Sequence, residues 1–226
     1  MNIAIIPARG GSKRIPRKNI KAFHGKPMIA YSIEAAVASG CFDKVIVSTD
    51  DTEIAEVAKK YGAEVPFLRP GDISDDYATT MDVMAHAIRW CKSEGWDVEA
   101  VCCLYATAPF VLPEDIQKGY ELLRGASVQF AFSATSFPFP IQRAIKLDEQ
   151  GSVSMFSPEN EQVRSQDLEE GYHDAGQFYW GQPSAFLNKL SIFSPHSKAV
   201  LLPRCRVQDI DTPEDWELAE KLFSIL

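Results

Sequence analysis

No acidic residue occurs before Glu34, although the first 33 positions carry seven Lys and Arg. The chain of 226 residues has a formal charge of −8, so without those seven positive charges the remainder stands at −15. A positive island on an acidic protein argues against nucleic acid or an anionic membrane as partner and suits one compact anion. Long apolar runs are also missing. None approaches the roughly 18–20 residues needed to cross a bilayer, and the first residues lack the charged lead and apolar stretch of a secretory signal. Cysteine is unpatterned: Cys41, Cys91, Cys102, Cys103 and Cys205 are odd in number and show no C-x-x-C spacing. That argues against a disulfide framework or a zinc site and makes a reducing, cytoplasmic setting the expectation. No Ser/His/Asp or Cys/His nucleophile set stands out among the four scattered histidines. The reaction is therefore expected to run on positioning and electrostatics, without a covalent enzyme intermediate.

The positive island is one loop. Residues 3–6 are an apolar run of strand length, and the loop that follows holds Arg9, Lys13, Arg14, Arg17 and Lys18 around Gly10, Gly11 and Ser12. Glycine amides can approach a ligand closely, and with this charge they describe a polyphosphate cradle. The loop lacks both G-x-x-x-x-G-K-[ST] and G-x-G-x-x-G, so it is neither a P-loop nor a dinucleotide fingerprint.

Short β-branched runs then alternate with amphipathic segments. Helices are expected at residues 27–39, 52–61 and 80–93, the last opened by a Thr79-x-x-Asp82 capping box. Further helices are expected after Pro113 and after Thr212. Strands are expected at 44–49, 64–68, 100–104, 130–135, 177–180, 199–202 and 206–210. This alternation implies an α/β fold with a mostly parallel central sheet flanked by helices. The rhythm breaks at residues 136–171, which hold a hairpin around Asp148 and Gly151 and long polar tracts. We read residues 1–135 and 172–226 as the main domain and 136–171 as an inserted arm that packs on a second subunit, because unstructured loops of this length are uncommon inside compact domains.

Asp209 and Asp211 are the sharpest carboxylate pair. On a strand, residues two apart share a face, so both could hold one Mg²⁺, which favours a few carboxylates plus phosphate oxygens. Alternatively, Asp211 could serve the N-terminus of the helix after Thr212.

The segment Ile6-Pro-Ala-Arg-Gly-Gly-Ser-Lys-x-x-Pro-Arg-Lys-Asn19 resembles the signature of the CMP-sialic acid synthetases (acylneuraminate cytidylyltransferases). The likeness continues through Gly25-Lys-Pro-Met28, Val47-Ser-Thr-Asp50, Arg69-Pro70, Ala78-Thr-x-x-Asp82 and Asp209-Ile-Asp211. The resemblance implies a Rossmann-like nucleotidyltransferase fold, a homodimer whose arm lends residues to the other subunit's site, and Mg²⁺ on Asp209 and Asp211. It implies that Arg9, Gly11, Ser12, Lys13 and Lys18 hold a triphosphate and that Asn19, Arg69, Ala78 and Thr80 hold the cytidine, with Ala8, Gly10 and Tyr105 alongside. Tyr105-Ala-Thr-Ala-Pro109 and Asp174-Ala-Gly-Gln-Phe-Tyr-Trp180 depart from the sialate pattern and look like the pseudaminic acid cytidylyltransferase branch. The expected reaction joins CTP to a nine-carbon 2-keto (nonulosonic) sugar acid. Arg9, Lys13 and Lys18 would stabilise the departing pyrophosphate, and Arg164, Asp174, Gln177 and Tyr179 would face the sugar. Phe137, Phe178, Tyr179 and Trp180 are candidates for an apolar sugar pocket; the alternative is that they are core, since alternation buries half of them. N-acetylneuraminate and legionaminate are the alternative sugars, and an inert nucleotide-binding module is the alternative of a different class.

Overall fold

The computed structural model describes residues 1–75 and 77–226. Ten strands are present among them: β1 (Asn2–Pro7), β2 (Ala22–Phe23), β3 (Lys26–Pro27), β4 (Lys44–Ser48), β5 (Ala100–Leu104), β6 (Phe130–Ser136), β7 (Ile145–Leu147), β8 (Val153–Met155), β9 (Tyr172–Gly181) and β10 (Ser197–Leu201). The α-helices are α1 (Met28–Ser39), α2 (Thr52–Lys60), α3 (Thr80–Ser93), α4 (Pro113–Leu123), α5 (Pro183–Leu187) and α6 (Pro213–Phe223). Six strands form one sheet in the order β10-β6-β9-β5-β1-β4. All neighbours run parallel except β9, which is antiparallel to both β6 and β5.

Period-two alternation divides the core into two layers. From β1, Ala4 and Ile6 face the layer built with α1, α2 and α4, while Ile3 and Ile5 face α3 and α5. The rule holds on β5, where Cys102 and Leu104 point one way and Val101 and Cys103 the other. Every residue of β5 is buried, as befits a strand covered on both faces. A third, smaller cluster lies under the basic loop: Ile15, Phe23, Phe110, Ile210, Trp216 and Ala219. It seats the loop and the Asp209–Asp211 segment on the same apolar footing, packed against α6.

Local chemistry sets the ends of the helices. Gly40 stops α1 in the left-handed region at φ 65°. Thr79 and Thr212 open α3 and α6 with complete capping boxes closed by Asp82 and Asp215. Two expected strands are absent as strands. Residues 64–68 make only isolated bridges, Ile46 to Glu64 and Thr49 to Leu68, because Pro66 between them has no N–H to extend a ladder. Residues 206–210 form no strand either. The last sheet bond there is Leu202 N–H to the Ala134 carbonyl, Pro203 follows without a donor, and Arg204–Arg206 coil into a 3₁₀ turn. Residues 136–171 hold the β7–β8 hairpin and three 3₁₀ turns. The hairpin turn is tied by Asp148, which accepts from the backbone N–H groups of Gln150 and Ser152. Among the described residues no helix is long and apolar enough to cross a membrane.

Candidate active site

The C-terminal ends of β1, β4 and β5 open onto a cleft of about 340 Å³, the place where open α/β sheets bind ligands. Arg9, Ser12, Lys13, Lys18, Asn19, Arg69, Ala78, Thr80, Tyr105 and Asp211 all line it. Residues far apart in sequence thus meet because parallel strands deliver their trailing loops to one edge. Hydrogen bonds hold several of them in place. Asn19, nearly buried, donates its amide to the Arg9 carbonyl at 2.9 Å, and Arg9 Nη1 donates to the Asp75 carbonyl at 3.1 Å. Asp75 in turn accepts the backbone N–H of Ala78 at 2.8 Å. Arg69 carries the sharpest signal. Its side chain is 4% exposed and its guanidinium lies 3.7 Å from Asp50 Oδ1. Nε and Nη2 find no hydrogen-bond acceptor among the described residues. Burial pulls this guanidinium below its ordinary pKa, opposed by Asp50. A buried cation with donors to spare awaits an acceptor from a ligand.

Three loop residues stand differently from expectation. Ala8 lies under the loop, its N–H given to the Ser48 carbonyl. The Gly10 amide, expected to face a ligand, donates to Asp50 Oδ1 at 2.9 Å. Gly11 is exposed, and nothing stands within 4 Å of the Cβ position it lacks. None of the three is among the cleft-lining residues.

Asp209 and Asp211 do not share a strand face, because the segment is not a strand. Only Asp211 lines the cleft, where it accepts from Arg14 Nη2 at 2.6 Å and from Lys18 Nζ at 3.1 Å. The helix N-terminus is served by Thr212 and Asp215, so the Asp211 side chain is not a cap. The segment is pinned from both sides. Lys18 Nζ donates to the Ile210 carbonyl at 2.6 Å. At the other end the buried Arg206–Asp115 ion pair ties it to α4, and Gln177 Nε2 donates to the Arg206 carbonyl. Burial and the like charge of Asp211 push the Asp209 carboxyl up, with Lys18 and Arg14 opposing; Asp211 is held down by the same two cations despite its own burial. Two carboxylates two residues apart have the donor chemistry of a divalent-cation site, and a bound cation would relieve the repulsion that Asp211 exerts on Asp209. Among the described residues no set of three or more His, Cys, Asp or Glu side chains could hold a metal alone.

Thr80 and Tyr105, whose hydroxyls lie 3.4 Å apart, also line a second, adjacent cavity of about 150 Å³. Its walls are Met81, Cys103, Phe186, Ile192 and Phe193, with Asp174 and Tyr179 as the polar side. Tyr179 donates to Asp174 Oδ2 at 2.5 Å, and Asp174 Oδ1 accepts the Gly176 N–H at 2.8 Å. Burial, reinforced by Tyr105 and Asp174, raises the Tyr179 phenol far above its usual range, so it stays a donor. Of the expected sugar-pocket aromatics only Tyr179 lines this cavity. Phe178 and Trp180 belong to the opposite core layer, as alternation on a strand requires, and the Phe137 ring packs on His173.

A family model for cytidylyltransferases matches residues 3–222. The chain belongs to the cytidylyltransferase family. It is 51% identical to the pseudaminic acid cytidylyltransferase of Campylobacter jejuni, with 99% of this chain and 97% of the relative aligned. It is 37% identical to the CMP-N,N'-diacetyllegionaminic acid synthase of Legionella pneumophila, over 99% and 96% of the two chains. Among solved structures, a CMP:2-keto-3-deoxy-manno-octonic acid synthetase complexed with CTP superposes with a TM-score of 0.72, covering 99% of this chain and 98% of that one at 18% identity. That last likeness is one of fold.

Two of the expected sugar residues lie outside both cavities. Gln177 is 3% exposed and braces Arg206 from within the core. Arg164 is exposed on residues 136–171 and pairs with Asp167 at 2.8 Å. Conversely, Arg14, Ser74, Asp75 and Thr107 line the cleft without having been singled out as site residues. Asp75 could have been found: an Asp two and three residues before a pair of free amides is an Asx-turn signal. Arg14 could not, since nothing local separates it from the other loop cations.

Proposed function

We propose that the chain joins CTP to pseudaminic acid, giving CMP-pseudaminic acid and pyrophosphate. The observation that carries this reading is an adjacent pair of cavities. A cationic cleft that holds the buried Arg69 guanidinium shares the Thr80 and Tyr105 wall with an apolar chamber, in a chain 51% identical to a pseudaminic acid cytidylyltransferase. An apolar chamber with one polar wall suits a sugar acid that has exchanged hydroxyls for acylamino groups and a methyl terminus.

In this reading the anomeric hydroxyl attacks the α-phosphate in line. A new oxygen–phosphorus bond forms, the bond from the α-phosphorus to the bridging oxygen breaks with its electron pair leaving on pyrophosphate, and the hydroxyl proton passes to solvent water. Arg9, Lys13 and Lys18 stabilise the charge that gathers on the departing pyrophosphate, and Arg69 with Asn19 holds the cytidine end. Asp209 and Asp211 would hold Mg²⁺, which when bound supplies charge neutralisation and lowers the pKa of the attacking hydroxyl. Lys18 then serves two partners, orienting Asp211 until the nucleotide arrives. The reading extends to a cytoplasmic homodimer joined through residues 136–171. Exposed Phe139, Ile145, Leu147, Val153 and Phe156 support that assembly, and it would bring Arg164 to the sugar end of the other subunit's cleft.

The test is pyrophosphate release from CTP with pseudaminic, N,N'-diacetyllegionaminic and N-acetylneuraminic acids. Turnover is expected to be fastest with pseudaminic acid. Preference for either other sugar overturns the substrate, and CTP binding without turnover on any of them favours the inert module. Asp209→Ala and Asp211→Ala should each lower Mg²⁺-dependent turnover by about 10²-fold or more; near-normal activity in both removes the metal assignment.

A further inference from the structure

Of the basic loop's cations, Arg17 does not line the cleft. It turns to α2, forking its guanidinium onto Asp51: Nη1 to Oδ2, and Nη2 to Oδ1 at 3.1 Å, with Nη2 also meeting Glu53. The backbone is bent for this contact, Arg17 standing in the left-handed region at φ 55°, which side-chain-bearing residues seldom occupy. The other end of the loop reaches the same place. The Gly10 N–H donates to Asp50 Oδ1, and a Cβ on Gly10 would stand 2.7 Å from Asp51 Oδ2. Residues 10 and 17 therefore both rest on two successive carboxylates just past the end of β4. Asp51 is itself fixed, since it caps α2 by accepting the Ile54 N–H at 3.0 Å. Ser12, Lys13 and Arg14, which line the cleft, hang between the two anchor points.

We infer that Asp50 and Asp51 staple the basic loop shut and that Arg17 is a positioning residue rather than a ligand of the nucleotide. The inference rests on reading this loop as the triphosphate cradle. Clustered cations repel one another and favour an open loop when no anion is present. A staple at both ends removes that freedom in advance, so less ordering is left for binding to offset. An arginine fork on a carboxylate is suited to the task because it fixes direction as well as distance. Gly10 is required for a steric reason: any side chain there would push the Asp51 carboxylate off Arg17.

The inference is tested on the full chain with Asp51→Asn, Arg17→Met, Arg17→Lys and Gly10→Ala. Asparagine is itself a good helix cap, so Asp51→Asn breaks the fork while keeping α2, and Arg17→Met leaves the cap untouched. Two readouts are taken: the rate of tryptic cleavage between residues 13 and 18, and CTP affinity by calorimetry without sugar. In Asp51→Asn, where every loop Lys and Arg is retained, cleavage should accelerate and CTP affinity fall, each by about tenfold. Gly10→Ala should do the same by displacing Asp51, and Arg17→Lys should fall between wild type and Arg17→Met. The sugar KM should stay within about twofold in all four. Faster cleavage with unchanged CTP affinity supports the staple while removing the reading of the loop as a triphosphate cradle. Weaker CTP binding without faster cleavage makes Arg17 a ligand and overturns the positioning role. Unchanged values of both in Asp51→Asn and Arg17→Met overturn the staple itself.

Discussion

Arg9, Lys18 and Asn19 are held at one end of the cleft by hydrogen bonds and ion pairs, whereas Met81, Phe186, Ile192 and Phe193 wall the other end by apolar contact. On the function proposed above, the difference follows from what each end would recognise. A triphosphate is a fixed arrangement of charge, and directional donors read it best. A deoxy, acylamino-bearing sugar presents few such handles, and shape with a single polar wall must do more. The charged end is also braced from below by Ile15 and Ile210 on the shared Trp216 cluster. The apolar end is braced by the other core layer: Cys103, Tyr179 and Phe186 belong to it and Met81 and Ile192 pack against it, while Phe193, 69% exposed at the mouth, meets Phe132 edge-on.

If charge governs the first end, Arg69 should be its most sensitive point. Arg69→Met keeps the length and buries no unpaired donor. CTP affinity should fall by about 10²-fold, since a buried charged contact to the ligand is lost. The ligand-free protein should melt at the same temperature or higher, because a buried cation with unsatisfied donors costs stability. Calorimetry and thermal melts check the two halves separately. A destabilised variant with intact CTP affinity would show that Arg69 serves Asp50 and the fold, and the comparison between the two ends would lose its main support.

The apolar end should respond more weakly and to the other substrate. Phe193→Ser should raise the KM for the sugar acid by about tenfold, the loss of one aromatic contact, with the KM for CTP unchanged. Equal changes in both constants would mean that the second cavity is not a separate subsite.

The same contrast explains which parts of the molecule could be read from sequence. The charged cleft was legible because its elements announce themselves locally: a cluster of cations after β1, a capping box at Thr79, and parallel strands that bring their trailing loops together, although Gly10 and Gly11 do not line it. The two-layer core was legible in β1 and β5 through alternation. Residues 206–210 were misread as a strand although their apolar residues, Val207 and Ile210, stand three apart instead of two and pack in different clusters. Pro203 and the turn after it decide against a strand, and the pins from Lys18 and Gln177 take the place of a ladder. The sugar end was half legible. Tyr179 and Asp174 were named through the resemblance carried by residues 174–180 and not by strand alternation, while Met81 and Phe193 reach the cavity from elements more than a hundred residues apart, and no local signal marks them. Gln177 shows the limit of residue-type reasoning: an amide suited to a sugar is spent inside the core on Arg206.

Besides the Thr80–Tyr105 pair that lines both cavities, an ion pair ties α3 to the apolar end, and it supplies the smallest of the expected effects. Asp82 closes the α3 capping box beside Thr80 and also receives Lys189, which precedes the loop carrying Ile192 and Phe193. The Lys189 ammonium, with Thr79 next, holds the Asp82 carboxyl down to about 2. A carboxyl lowered on folding adds stability at pH values above its unfolded pKa of about 4, and that increment is lost as pH falls through the folded value. The full shift would correspond to about 2.5 kcal/mol, but Lys189 is 56% exposed, and solvent screening reduces the expected contribution to about 1 kcal/mol. Asp82→Asn should therefore destabilise the protein by about that much at pH 7. The gap between the two unfolding curves should narrow below about pH 4 and close near pH 2. A gap that stays constant across this range would mean that the carboxylate's charge contributes nothing and that Asp82 acts only through its cap geometry. The nucleotide and sugar ends would then be joined by packing alone, and Lys189→Met, which spares the cap, should leave both CTP and sugar constants where they were.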